Sequence, residues 1–156
     1  MLVFITHARR ELVHLNVTTN PTAAWVWRQL IAATPWGRTP RYLIRDRDAV
    51  YGRDFAPRAR RLGVETVLTP IRAPRANAIA ERLVGTLRRE CLDHVIVLNE
   101  AHLRAVLTEF GRFYNHERPH RALSLETPTP MVRARAGPVG SRPILGGLHH
   151  VYERAA

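Results

Sequence analysis

Residues 41–68 read RYLIRDRDAVYGRDFAPRARRLGVETVL and change structural period twice. Arg41 to Arg45 and Val64 to Leu68 are short apolar runs typical of strands. Between them, Asp54 to Leu62 predicts a short helix that Gly63 ends. A strand, a helix and a second strand in close succession are typical of a layered α/β domain.

The segments on either side of this unit extend the same pattern. Upstream, Leu2 to Thr6 and Glu11 to Val17 predict a β-hairpin, and a helix follows the start signal at Asn20 and Pro21. Downstream, the apolar spacing predicts helices from Ala76 to about Asp93 and from Glu100 to about Asn115. We therefore expect an α/β fold with a mixed sheet flanked by helices.

The last part of the chain has a different composition. After Thr127, proline and glycine recur every few residues, so we expect mainly loop, with a short strand near Pro143 to Leu145. This change divides the chain into a core domain, residues 1–128, and a Pro/Gly-rich tail, residues 129–156.

The charge is strongly basic, with 24 basic residues against 13 acidic ones and a formal net charge of +11. Every basic residue other than histidine is arginine. Such a chain favours a polyanionic partner, because neutralised phosphates release counterions. Nucleic acid is favoured over an anionic membrane because the arginines are spread along the whole chain. No apolar stretch is long enough to span a membrane, and the single cysteine, Cys91, fits a reducing cytoplasm.

Two acidic residues occupy positions where carboxylates often carry chemistry. Asp46 follows directly after a predicted strand, where it is either a metal ligand or the residue that closes an Asx turn. Glu81 shares one predicted helix face with Asn77, Gly85 and Arg88, at intervals of about one turn. That face either lies on DNA, with Glu81 on a metal, Gly85 at a close approach and Arg88 on a phosphate, or is a solvated surface with a weak Glu81–Arg88 pair.

A pair of converging carboxylates would suit phosphodiester chemistry. Hard oxygen ligands select Mg²⁺ or Mn²⁺, and these ions activate a water or a 3′-hydroxyl and stabilise the leaving oxygen. Thirty-four residues lie between Asp46 and Glu81.

Four segments in order resemble the DDE integrase-core transposases of bacterial insertion sequences. These segments are Asp46 to Tyr51, Pro74 to Glu81, Thr86 to Glu90, and Tyr114 to Leu123 followed by Thr127 and Pro128. The resemblance covers about residues 1 to 128 and implies a ribonuclease H-like fold. It implies that Asp46 and Glu81 are the second and third catalytic and metal-binding acids. It also implies that Arg75, Asn77, Gly85 and Arg88 lie near DNA, and it favours a structural role for His116, Arg118 and His120.

The family's first catalytic aspartate, on its first strand, has no counterpart here, because Glu11 is the only acid in residues 1–45. We therefore expect the first strand of the sheet to be missing, and we expect a truncated core with weak or no strand transfer alone. The expected partners are DNA and a second copy of the chain on DNA. A non-catalytic basic nucleic-acid-binding module and a ribonuclease H-like nuclease remain the alternatives.

Overall fold

The computed structural model of the protein describes residues 1–35, 39–71, 73–134 and 136–155. Within these ranges the strands and α-helices follow in the order β1 (Leu2–Ile5), β2 (Leu12–Asn16), α1 (Ala23–Ala33), β3 (Tyr42–Arg45), α2 (Phe55–Arg61), β4 (Glu65–Leu68), α3 (Ala78–Glu90), α4 (Glu100–His116), β5 (Val139–Ile144) and β6 (His149–Arg154). Short 3₁₀ helices lie between several of them. The element order predicted for residues 1–68 is confirmed, with ends that differ by one to three residues.

The β1–β2 hairpin is an antiparallel pair with helices against both of its faces. Successive side chains of a strand point to opposite faces. Leu2 and Phe4 accordingly pack against the cluster that contains α1, whereas Val3 and Ile5 pack against the cluster that contains α3 and α4. The hairpin is therefore the middle layer of a three-layer arrangement.

Strands β3 and β4 form a parallel pair, in register from Tyr42 opposite Glu65 to Arg45 opposite Leu68. Leu43 packs against the same cluster as Leu2 and Phe4, and this cluster contains buried residues of both α1 and α2. The other face of the β3–β4 pair leaves the apolar side chains of Ile44 and Val67 about 40% exposed.

The structure divides the predicted mixed sheet into separate pairs. In the described residues, β1–β2 is antiparallel, β3–β4 is parallel and β5–β6 is antiparallel, and each is a two-stranded sheet. Both pairing types of a mixed sheet are thus present, but no described strand hydrogen-bonds to both the first and the second pair. The single continuous sheet is not formed by these residues because such a bridging strand is required to join two pairs.

Helices α3 and α4 form the larger core with the hairpin. Leu83, Leu87, Leu107 and Phe110 are at most 1% exposed, as their helical spacing predicts. Helix α3 is shorter than predicted, because a 3₁₀ turn of residues 74–77 precedes it and another follows it at Leu92–His94. The Asn99 side chain caps α4 by accepting the His102 N–H at 2.8 Å.

The prediction of a mainly loop tail was wrong, because β5 and β6 form a hairpin that packs against α4, although the predicted strand near Pro143 to Leu145 overlaps the end of β5. Its turn places Leu145 on the core and lets the Leu145 N–H donate to Glu109 at 2.7 Å. The His149 ring stacks on Phe113 with the centroids 4.6 Å apart. Each strand of this hairpin buries one apolar side chain, Ile144 on β5 and Val151 on β6. One buried position per strand gives no alternating apolar pattern, so the proline and glycine residues indicated a loop.

Candidate metal and nucleic-acid site

Asp46 lies directly after β3 with its side chain exposed. One carboxylate oxygen, Oδ1, accepts the Asp48 N–H at 3.3 Å, which is the geometry of an Asx turn. The turn holds the carboxylate at the carboxyl end of the strand. The local structural interpretation of Asp46 is therefore confirmed, and its role as a metal ligand stays a prediction.

An aromatic and cationic cluster lies beside Asp46. The Arg45 guanidinium lies 4.6 Å from the centroid of the Tyr51 ring and 5.4 Å from that of Phe55. Burial raises the pKa of the Tyr51 hydroxyl to about 12, and the nearby negative charge of Asp46 contributes in the same direction. The Tyr51 hydroxyl therefore stays protonated beside the acid. This cluster was not predicted, although an arginine before the aspartate and two aromatics within ten residues after it were available as a signal.

Asp48 has a structural role in the turn that follows. Its carboxylate accepts the Val50 N–H at 2.9 Å and so caps the 3₁₀ helix Ala49–Tyr51.

Glu81 lies in the first turn of α3 with its side chain exposed. The opposite face of the helix buries Leu83, Thr86 and Leu87. The outward face predicted for Glu81 is therefore present. Thr86 is buried although its polar character placed it outside the predicted apolar set.

The rest of the Glu81 face differs in detail from the prediction. Arg88 is exposed and lies 4.0 Å from Asp93, so within the described chain its ion-pair partner is Asp93 and not Glu81. Gly85 is covered by a side chain of its own helix, since a β-carbon there would lie 3.1 Å from the Arg89 guanidinium. A close approach of DNA to Gly85 would require that flexible side chain to move.

Arg75 and Asn77 lie in the 3₁₀ turn that leads into α3. Arg75 is exposed and Asn77 is half-buried. Asn77 occupies the N-cap position of α3, but its side chain does not cap the helix. This side chain is therefore not committed to the local backbone.

Asp46 and Glu81 fit a divalent metal in chemistry but do not complete a site by themselves. Both offer exposed carboxylates, the ligand type that Mg²⁺ and Mn²⁺ prefer. Across residues 1–35, 39–71, 73–134 and 136–155, no three histidine, cysteine, aspartate or glutamate side chains are grouped closely enough to hold an ion. The convergence of the two acids therefore stays a prediction.

The residues of the Tyr114 to Leu123 segment have structural contacts, as expected. Arg118 donates two hydrogen bonds to Glu90, both at 2.6 Å, and so joins the end of α4 to the end of α3. The buried His120 ring contacts Tyr114 edge-on and hydrogen-bonds to its backbone carbonyl at 3.1 Å. His116 lies 3.3 Å from the Thr129 carbonyl. These contacts close the chain after α4 onto the core.

The helices of the described chain are too short or too polar for a bilayer. None of them combines 18 residues with the apolar character of a membrane span.

Comparison with known proteins identifies the family of the central segment. Residues 62–128 match the integrase core domain family, and this segment contains Glu81 and the four residues proposed to contact DNA, whereas Asp46 precedes it. The chain is 32% identical over 112 residues to an uncharacterized 39.2 kDa protein of insertion element IS476 from Xanthomonas euvesicatoria. It is 35% identical over 78 residues to transposase InsD of insertion element IS2 from Escherichia coli.

These alignments cover half or more of this chain but a minor part of each relative. They include 71% of this chain and 32% of the IS476 protein, and 50% of this chain and 26% of the IS2 transposase. The chain thus spans about a third or less of the length of these relatives. Residues 62–128 thus match an integrase core domain, and the chain is similar to proteins of bacterial insertion elements, one of them a transposase.

Proposed function

We propose that this chain supplies two ligands, Asp46 and Glu81, to a divalent-metal site for DNA strand cleavage and transfer. The observation that carries the proposal is the integrase-core match over the helix of Glu81. The exposed Asp46 carboxylate, held by its turn at the carboxyl end of β3, supports it. On this account the two residues are the second and third acids of a DDE site.

The metal would be Mg²⁺ or Mn²⁺, and its contribution when bound is to activate the attacking oxygen and stabilise the leaving one. The carboxylates of Asp46 and Glu81 would hold it. The remaining residues would position DNA. Arg75 and Arg88 are exposed cations suited to phosphates, and the Asn77 side chain does not cap its helix. Gly85 has no side chain, so DNA could approach the helix there once the Arg89 side chain moves.

The site needs a further acid, and we propose that a strand of a ribonuclease H-like sheet supplies it. Leu2 and Phe4 of β1 and Leu43 of β3 pack against one buried cluster formed by α1, α2 and Val64, which supports placing the two strand pairs side by side. A strand between the unpaired edges of β1 and β3 would join the pairs into a mixed sheet and end near Asp46. Without it, we expect the chain alone to have weak or no strand-transfer activity.

The wider setting follows from the same proposal. The target is DNA in the cytoplasm, a second copy of the chain binds on the same DNA, and no membrane is involved. The core domain is residues 1–128, and the hairpin region 129–156 is a structural addition to it.

Strand transfer with labelled duplex DNA and Mg²⁺ tests the proposal. We expect little product from the chain alone. We expect clear product from a chain extended by the polypeptide encoded immediately upstream, if that polypeptide contains an in-frame strand with an aspartate. Asp46→Asn and Glu81→Gln should each abolish this activity, whereas the control Glu153→Gln, an exposed acid on β6, should retain it. Activity that survives both acid substitutions would refute the assignment.

A further inference from the structure

The arginines of residues 41–61 have no ion pairs within the described chain, whereas six arginines elsewhere in it do. This segment contains Arg41, Arg45, Arg47, Arg53, Arg58, Arg60 and Arg61. Among the described residues none of the seven is in an ion pair, although the segment also contains three aspartates. The ion pairs of the described chain lie instead on α3, α4, the β5–β6 hairpin and the loops that contain Arg9 and Arg133. The positive charge of this segment is therefore available to an external anion.

Two of these arginines line one depression of about 370 Å³, together with Gly63, Val64 and Glu65. The backbone holds them there. The Arg41 carbonyl accepts the Glu65 N–H at 2.9 Å, and the Arg60 carbonyl accepts the Gly63 N–H at 2.9 Å. Both arginine side chains are exposed. The positive φ of Gly63, 79°, turns the chain sharply from α2 into β4, and no side chain fills the space above it.

The depression lies at the opposite end of the β3–β4 pair from Asp46. Arg41 precedes the first residue of β3, and Asp46 follows its last. At about 3.3 Å per strand residue, the two positions are roughly 16 Å apart. This is the length of about five base pairs of duplex DNA, which rises about 3.4 Å per pair along one strand.

We infer that the depression between Arg41 and Arg60 is a second DNA-binding site, which holds backbone phosphates away from the acids. Arg58 and Arg61, on the same short helix as Arg60, add to the positive charge of this part of the chain. Glu65 is the one acid among the residues that line the depression, and it weakens the field there. The choice of DNA as the polyanion rests on the proposed function, whereas the unpaired arginines and the depression do not.

Fluorescence anisotropy with a labelled 30-base-pair duplex, across a range of salt concentrations, tests this site on the full chain. The test variant is Arg41→Gln with Arg60→Gln. The matched control is Arg112→Gln with Arg121→Gln, which removes the same charge from two exposed arginines that have no ion pair in the described chain. Thermal unfolding by circular dichroism verifies that both double variants fold.

We expect the test variant to bind DNA roughly five- to tenfold more weakly than the control at about 0.1 M salt, because two phosphate contacts are lost. Its slope of log affinity against log salt should be shallower by about 2. Glu65→Gln should strengthen binding about twofold, since it removes the opposing charge. Equal affinities and slopes for the two double variants would overturn the inference.

Two further measurements distinguish a DNA site in this depression from a membrane site and from an effect of the acids. The first measurement is binding to vesicles of phosphatidylcholine and phosphatidylserine. If the wild-type chain binds these vesicles, the test variant does not, and both bind DNA equally, the site is a membrane site and the inference fails. The acid variant Glu81→Gln should keep the Arg41 and Arg60 effect on DNA binding. If strand transfer fails but the Arg41 and Arg60 substitutions still weaken DNA binding, the strand-transfer proposal is wrong and this site stands. If strand transfer succeeds but these substitutions leave DNA binding unchanged, this site alone is wrong.

Discussion

The α3–α4 region, residues 78–126, and the β3–α2–β4 region, residues 41–68, differ in how their charges are paired. In the first, three of the seven arginines pair with acids, as Arg118 does with Glu90 and Arg104 with Glu100. In the second, seven arginines and four acids have no ion pair among the described residues. The comparison indicates that the α3–α4 region holds the fold together, while the β3–α2–β4 region presents charge to a ligand.

The largest expected effect tests the first half of this comparison. Phe110 is fully buried between the hairpin and α3, so Phe110→Ala should lower the free energy of unfolding by about 3–5 kcal/mol. The matched change in the other region is Val67→Ala, whose side chain is 40% exposed and should cost less than about 1 kcal/mol. Urea unfolding of both variants measures the difference. Equal losses would mean that the two regions contribute alike to stability.

A smaller effect is expected at the ion pair that joins the two helices. The Arg118 and Glu90 side chains are only 24% and 31% exposed and share two hydrogen bonds, so Arg118→Ala should cost roughly 1.5–3 kcal/mol. The control is Arg88→Ala, which breaks a more exposed pair with Asp93 and should cost about 1 kcal/mol or less. If the control lost as much stability as Arg118→Ala, burial would not be what strengthens the pair.

The pH dependence of stability should be smaller still and should come from the same region. Burial lowers the pKa of His120, and the hydrogen bonds from Arg118 lower the pKa of Glu90. In both cases the unfolded chain binds protons more readily, so stability decreases as the pH falls. The His120 contribution should be complete above about pH 6.5, the Glu90 contribution above about pH 4.3, and each should be lost in more acidic solution. Urea midpoints measured from about pH 8 to about pH 2 test this dependence, and His120→Gln should remove the first decrease while leaving the second.

The sequence predicted the helical parts of this fold better than its sheets. The buried positions of α3 and α4 follow a helical period over many residues, and Leu83, Leu87 and Phe110 are buried as that period requires. Strand pairing depends on contacts between distant residues, so the sequence could not show that β1–β2 and β3–β4 form separate pairs. The length of β5 and the whole of β6 were missed because that hairpin is held by contacts such as His149 on Phe113, which no local pattern encodes.

The candidate site was predicted as a set of residues but not as a geometry. The order of Asp46 and Glu81 and their exposed positions could be predicted, because strand ends and helix faces follow from local pattern. The contacts that these side chains make could not be predicted. Arg88 lies near Asp93, Arg89 covers Gly85, and Arg45 lies over the Tyr51 ring, because long flexible side chains choose among several neighbours of similar energy.

Titration of the full chain with Mn²⁺, followed by electron paramagnetic resonance, tests most directly whether Asp46 and Glu81 share one metal site. We predict weak binding of Mn²⁺ that Asp46→Asn and Glu81→Gln each reduce strongly, with no further loss in the double variant, because both residues hold the same ion. Asn at position 46 can still close the turn, so folding should be unchanged. Unchanged Mn²⁺ binding in both single variants, or two independent losses that add in the double variant, would contradict the account.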